Sequence, residues 1–170
     1  MVQTLDNTSV KINATTTLKS TGDLSTASDP LSFAKAFVMT NGTGANNANM
    51  VFADTRTLAA SGTEDLDLAG GVTNSFGTTT TFTKIKALII SAAAGNTNDV
   101  VVGGHATAAI TSLFGDATDK VKVKPGGTVA FVAPDATGYA ITATTADMLT
   151  VTNSAGTTGV TYDIVVIGVV

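Results

Sequence analysis

Residues 120–132 read KVKVKPGGTVAFV, and this stretch decides the class of fold. Lysine and valine alternate without a break over residues 120–124, which is the side-chain period of a β-strand with one charged and one apolar face. Pro125-Gly126 then suits the two central positions of a type II turn, because proline presets φ and glycine accepts positive φ. The return strand carries three apolar residues, Val129, Phe131 and Val132. The stretch therefore predicts β-structure on both sides of a tight turn.

Similar strand patterns lie on both sides of this stretch. They are separated by turns rich in Gly, Asn and Asp, and their spacing predicts about eight short strands. Residues 106–114 differ, since their apolar residues have a helical spacing that fits one or two turns. The predicted fold is all-β: an antiparallel β-sandwich, jelly-roll-like in the favoured arrangement, with a barrel as the alternative. One sandwich core is expected to contain Val129, Phe131, Tyr139, Ile141, Leu149, Val151, Tyr162, Ile164 and Val166.

The N-terminal part of the chain has a different composition. Residues 1–30 are rich in Thr, Ser, Asn and Asp, so we expect an extended arm with at most one weak strand. Residues 31–170 form the predicted sandwich domain. It begins with a half-buried strand whose apolar face carries Leu31, Phe33, Phe37 and Met39. Lys35 interrupts that face, which is typical of an edge strand.

Composition and charge limit the classes of partner. The 170 residues carry 9 basic and 13 acidic side chains, for a net charge of −4, which argues against nucleic-acid binding. There is no cysteine, and therefore no disulfide framework or thiolate metal site. No apolar run approaches the ~20 residues of a membrane span, and the N-terminus lacks the pattern of a secretory signal. We expect a soluble protein made in the cytoplasm, without a membrane partner.

The sequence offers little for catalysis. The single histidine, His105, follows two glycines and has no second histidine to complete a zinc site, so a turn role is favoured. Glu64, Asp65 and Asp67 resemble calcium ligands, yet they alternate with leucines, which places Asp65 and Asp67 on the solvent face of a strand. The glycine-rich loops match no phosphate-binding motif. We therefore predict no enzyme activity and no catalytic, cofactor-binding or metal-binding residues.

The lysine stripe, defined as Lys120, Lys122 and Lys124, is the one candidate binding feature. In one interpretation the lysines protect the edge of a sheet against wrong pairing. In the other they form a surface complementary to an acidic partner, to which Lys84 and Lys86 could add.

Three long segments carry a family resemblance. They are RTLAASGTEDLDLAGG (residues 56–71), TFTKIKALIISAAAGNTNDVVVGG (residues 81–104) and VKPGGTVAFVAPDATGYAITATTADMLTVTNSAGTTGVTYDIVVIG (residues 123–168). Together with the upstream TNGTGANNAN loop, they resemble small structural proteins of tailed bacteriophages, which are usually encoded among head genes. The resemblance implies a jelly-roll-like decoration, or cement, protein that clamps major capsid subunits on the outside of the head. It marks no individual functional residue.

The favoured function is therefore that of a capsid decoration protein, made in the bacterial cytoplasm and located on the virion exterior. Its expected partners are the major capsid protein, through a surface that includes Lys120, Lys122 and Lys124, and further copies of itself. A homo-oligomer presents several weak binding surfaces together, and a trimer is favoured over a dimer. The alternative is a tail, fibre or spike module for host attachment, against which stands an aromatic content of only 5%.

Overall fold

The computed structural model describes residues 3–170, and the chain is almost entirely β-structure. The elements, in chain order, are β1 (Thr8–Thr21), β2 (Thr26–Asn41), β3 (Asn47–Ala48), β4 (Met50–Leu58), β5 (Thr63–Asp67), β6 (Ala69–Thr73), β7 (Thr79–Thr81), β8 (Lys84–Ala92), β9 (Val100–Val102), α1 (Thr111–Phe114), β10 (Val121–Val123), β11 (Thr128–Val132), β12 (Tyr139–Ala140), β13 (Met148–Asn153) and β14 (Val160–Val169). The single turn of α1 confirms the short helix expected within residues 106–114.

Two antiparallel sheets form the body of the protein. One has the strand order β10-β9-β13-β5, and the other has the order β11-β8-β14-β4, with β12 pairing beside β8. Their inner faces share one apolar core, to which the first sheet contributes Leu149 and Val151 and the second Ile164 and Val166. This packing confirms the all-β sandwich, while the jelly-roll arrangement stays a prediction.

All nine predicted core residues contact this core, but they are buried to different degrees. Six of them are buried: Ile141, Leu149, Val151, Tyr162, Ile164 and Val166. Val129, Phe131 and Tyr139 are half-buried and pack against the margin of the core. The ring of Phe131 makes edge-on contacts with Phe114 and Tyr139, at centroid distances of 5.8 and 6.5 Å.

The Pro125-Gly126 turn has the predicted geometry but a different role. Gly126 has a φ of +72°, and the Gly127 amide donates to the Lys124 carbonyl at 2.7 Å. The strands on either side of the turn do not pair with each other, since β10 pairs with β9 and β11 pairs with β8. The turn is thus a corner that carries the chain from one sheet of the sandwich to the other. Local alternation cannot distinguish such a corner from a hairpin.

Strands β1 and β2 form a long hairpin at the N-terminal end of the chain. They pair without interruption from Thr8↔Met39 to Thr21↔Thr26. The base of the hairpin packs on the outer face of the five-stranded sheet, where Val10 and Met39 join Ala87 and Ile167 in a second, smaller core. Every residue from 11 to 36 is exposed. At ~3.4 Å per residue, the exposed part is about 35 Å long.

This hairpin differs from the sequence prediction in two ways. The expectation of at most one weak strand in residues 1–30 was wrong, because β1 alone has 14 residues and β2 begins at Thr26. Threonine-rich segments suit strands, and pairing with β2 satisfies their backbone groups. The position between residues 30 and 31, where the arm was expected to end, lies inside β2. Leu31 and Phe33 were expected to be half-buried but are 59% and 52% exposed.

A β-bulge interrupts the alternation of β8. Lys84 and Ile85 pair with β12 and Ala87 pairs with β11, so Lys86 is the extra residue between them. The bulge places Ile85 in the main core and Ala87 in the smaller core on the other face of the sheet. An extra residue of this kind redirects the side chains around it.

Candidate interaction surfaces

The lysine stripe lies at the edge of the four-stranded sheet, as one of its two interpretations requires. Strand β10 is the last in the strand order, and Val123 is buried while Lys122 and Lys124 are exposed. Both amines lie near the Asp99 carboxylate, at 2.9 Å for Lys124 and 3.8 Å for Lys122. Part of the positive charge of the stripe is therefore balanced within the chain.

Lys84 and Lys86 do not extend this stripe. The Lys84 amine donates to the carbonyls of Thr43 and Ala136, at 3.4 and 2.9 Å. The fully buried Lys86 amine donates to the carbonyls of Gly44 and Asp135. The two lysines hold the 41–49 loop and the 133–138 loop together, and Lys86 is too deeply buried to form part of a binding surface.

The buried position has an electrostatic consequence for Lys86. Burial lowers the pKa of its amine, and the positive charge of Lys84 lowers it further. The carbonyl oxygens offset part of this cost, because they accept hydrogen bonds from the charged amine. Lys86 thus joins the two loops through its hydrogen bonds to their carbonyl groups.

His105 occupies a turn, as expected. Its Nδ1 accepts hydrogen bonds from the amides of Ala108 and Thr107, at 2.9 and 3.3 Å. The proton of the neutral ring is therefore on Nε2, which lies 3.8 Å from the Asp65 carboxylate. That distance exceeds a hydrogen bond, so the pair forms no catalytic dyad.

The acidic residues of β5 divide between the two faces of the strand. Asp65 is exposed and Asp67 is half-buried, and both lie on the face opposite the buried Leu66, as the alternation predicts. Glu64 points the other way and accepts hydrogen bonds from Arg56 Nε and the Tyr162 hydroxyl, each at 2.7 Å. No group of three or more potential metal-ligating side chains occurs within residues 3–170.

The Arg56–Glu64–Tyr162 cluster was not predicted from the sequence. Hydrogen bonding with Glu64 raises the pKa of Arg56, and burial followed by the same carboxylate raises the pKa of Tyr162. Both shifts keep the protonated forms of these side chains, so the cluster links the two sheets at the edge of the core. Tyr162 is fully buried, and its hydroxyl and the Arg56 guanidinium both donate to Glu64, so the observed role of the cluster is a structural contact between the sheets.

One buried carboxylate keeps an oxygen without a protein partner. Asp147 Oδ2 accepts a hydrogen bond from the Thr144 amide at 2.5 Å, whereas no residue within 3–170 contacts Oδ1 by a hydrogen bond. Thr144 has a φ of +69°, a conformation that is uncommon for a threonine. The observed role of Asp147 is to hold this strained turn.

The hairpin carries an apolar surface that the sequence analysis did not identify. Residues paired across the hairpin share a face, so the register places alternate residues of β1 and β2 on one side. We define the hairpin stripe as five exposed apolar residues of this side, Ile12, Ala14, Leu18, Leu31 and Phe33. The apolar alternation from Leu31 to Met39 was visible in the sequence, but its partner residues in β1 were not.

Within residues 3–170 no helix is long and apolar enough to cross a membrane. Comparisons with protein-family models, with curated proteins and with solved structures find no match for this chain.

Proposed function

We propose that the protein is a structural component of a tailed-bacteriophage virion, and specifically a capsid decoration protein. In this proposal it binds the outer surface of the major capsid shell as a homo-oligomer, with a trimer favoured over a dimer. Each copy bridges neighbouring shell subunits, and many modest contacts together resist the pressure of the packaged DNA. The proposal starts from the resemblance of residues 31–170 to small structural proteins encoded among phage head genes.

The hairpin is the structural observation that best supports an assembly role. A two-stranded hairpin is marginally stable in water when nothing covers it. Residues 11–36 are nevertheless regularly paired, and they expose large apolar side chains. A segment of this shape suits a protein that completes its packing against a neighbour in a larger particle.

The lysine stripe is the proposed contact with the acidic outer surface of the shell. Lys122 and Lys124 share Asp99 as a partner, and Lys120 precedes them at the same sheet edge. Exposed charges of this kind mainly affect the rate and salt dependence of association.

The test uses expanded, empty heads of a tailed phage that carries this coding sequence but were assembled without its product. Purified full-length protein is mixed with the heads, and bound protein is measured after sedimentation of the particles. We expect saturable uptake at a fixed ratio to the major capsid protein. Absence of uptake, together with binding to host cells or to isolated tails, would contradict the proposal and favour the attachment module.

A matched variant tests the part played by the hairpin. Val10 and Phe37 face each other in the register, so residues 11–36 can be replaced by Asn-Gly, which favours a tight two-residue turn. We expect this variant to fold and to lose most of its uptake by heads. Uptake equal to that of the full chain would exclude the hairpin from the assembly.

A further inference from the structure

The outer face of the five-stranded sheet is organised in rows across β4, β14, β8 and β11. The register aligns Val51, Ile167, Ala87 and Val132 in a first row, and Ala53, Val165, Ile89 and Ala130 in a second. The third row is polar and consists of Thr55, Asp163, Ser91 and Thr128. The sheet thus has two apolar rows before its outer face becomes polar.

The first of these rows is the better covered, since Ala87 and Ile167 are buried with Val10 and Met39 at the base of the hairpin. The second row reaches only the margin of this smaller core. In the second row, which we call the sheet row, Ala53 and Ala130 are exposed, and Val165 and Ile89 are half-buried. Between the hairpin and this row lies an open groove of about 470 Å³, lined on one side by Ile12 and on the other by Ile89 and Ala130.

The hairpin stripe is the continuation of the face that covers the first row. Val10 and Phe37 are paired at the base, and the next pairs outward on the same face are Ile12↔Lys35 and Ala14↔Phe33. The same face therefore packs on an apolar row at its base and leaves its outer part uncovered. Within residues 3–170 the outer stripe stays exposed, and the sheet row is covered only in part, at Val165 and Ile89.

Charge favours a contact between the hairpin of one chain and the body of another. Residues 8–41 carry three lysines and two aspartates, whereas the other residues carry six basic and eleven acidic side chains. Lys35 lies on the face of the stripe, and the exposed Asp163 lies in the polar row directly beside Val165. The body of a second copy thus offers the hairpin stripe an apolar row and, beside that row, a carboxylate opposite in charge to Lys35.

We propose that the hairpin stripe of one copy docks on the sheet row of a second copy of this chain. This inference rests on the oligomer of the proposed function and supplies its contact surface. The two surfaces differ from each other, so copies pair either reciprocally in a twofold dimer or head-to-tail in a closed ring. A closed trimer satisfies both surfaces in every copy.

The first test is the oligomeric state of the full-length protein by sedimentation velocity across micromolar concentrations. The double variant Leu31→Ser with Phe33→Ser removes the aromatic side chain of the stripe and an adjacent aliphatic side chain, which are 52% and 59% exposed. We expect its self-association to weaken at least about tenfold, because apolar anchors dominate such interfaces. The matched control is Val38→Ser, which lies on the opposite face of the hairpin and is 64% exposed.

The second test identifies the surface that the stripe contacts. The chain has no cysteine, so chains carrying Phe33→Cys can be mixed with chains carrying Ala53→Cys and treated with a short bismaleimide. We expect a cross-linked pair of chains in this mixture, and none when Val38→Cys replaces Phe33→Cys. Because each chain has a single cysteine, a bond between the two variants can only join different copies.

The outcomes separate this inference from the proposed function. A protein that stays monomeric in solution and on heads contradicts both this contact and the proposed oligomer. An oligomer that the double serine variant leaves intact, without the cross-link, contradicts only the docking surface. A double variant that keeps its oligomer but loses uptake by heads assigns the stripe to the capsid shell instead, and overturns the inference.

Discussion

Replacing Tyr162 by phenylalanine tests a buried polar contact that joins the two sheets. The Tyr162 side chain is fully buried, and its hydroxyl donates to Glu64 Oε1 at 2.7 Å. A hydrogen bond to a charged group contributes about 1.5–3 kcal/mol to stability. The Glu64 side chain is 18% exposed and keeps its contacts with Arg56, so we expect the lower part of this range. A loss of about 1.5–2 kcal/mol corresponds to a Tm lower by about 3–8 °C in a chain of this size.

The same substitution changes the response of stability to pH. The pKa of Tyr162 is raised in the folded protein above its ordinary value of 10.0, with burial as the largest cause. The stabilisation linked to this shift is therefore complete below pH 10 and is lost as the pH rises above it. We expect the difference in stability between the wild type and Tyr162→Phe to shrink above pH 10. Both proteins keep Lys86, so its lowered pKa affects both equally.

Urea unfolding followed by circular dichroism, at pH 7 and at several values between 9.5 and 11, measures both effects. The control is Tyr139→Phe, which changes the only other tyrosine; that residue is half-buried at the margin of the core. The control should cost less than about 0.5 kcal/mol. A Tyr162→Phe variant as stable as the wild type at pH 7, or a difference independent of pH, would refute the assigned role of the Glu64 contact.

Three further predictions concern the core and the assembly surfaces. Phe131→Ala should cost about 2–3 kcal/mol in urea unfolding, less than a fully buried phenylalanine, and a loss below ~1 kcal/mol would remove this ring from the core. Changing Lys120, Lys122 and Lys124 to Ser should slow uptake by phage heads and flatten its salt dependence, while calorimetry shows a stability change below about 1 kcal/mol; unaltered uptake would leave the stripe only its role at the sheet edge. Replacing residues 11–36 by Asn-Gly should preserve the circular dichroism spectrum of a β-sandwich, and an unfolded product would show that the exposed hairpin is needed for the domain.

Alternation in the sequence predicted which residues share a face, but not what covers that face. Leu31, Phe33, Phe37 and Met39 do lie on one side of β2, yet only Met39 is buried and Phe37 half-buried. The difference follows from the tertiary arrangement, since the hairpin packs on the sheet only at its base, where Val10, Phe37 and Met39 lie. The alternation of apolar residues along a strand does not show how much of its apolar face another part of the protein covers.

Bulges and corners limited the prediction in a similar way. A single extra residue at Lys86 shifts the alternation of β8, and nothing in the letters TKIKALII marks its position. The Arg56–Glu64–Tyr162 cluster depends on a contact between residues 98 positions apart, which no local pattern encodes. In contrast, His105 and the Pro125-Gly126 turn could be predicted because their conformations depend on adjacent residues.

The location of the protein on the virion tests the central claim most directly. Antibodies against the purified chain, coupled to gold and applied to intact particles of a phage that carries this coding sequence, report its position by electron microscopy. Decoration of the outer surface of the heads is the predicted result. Label confined to tails or fibres, or no label on particles shown by immunoblot to contain the chain, would contradict the account of a protein that clamps the outside of the capsid.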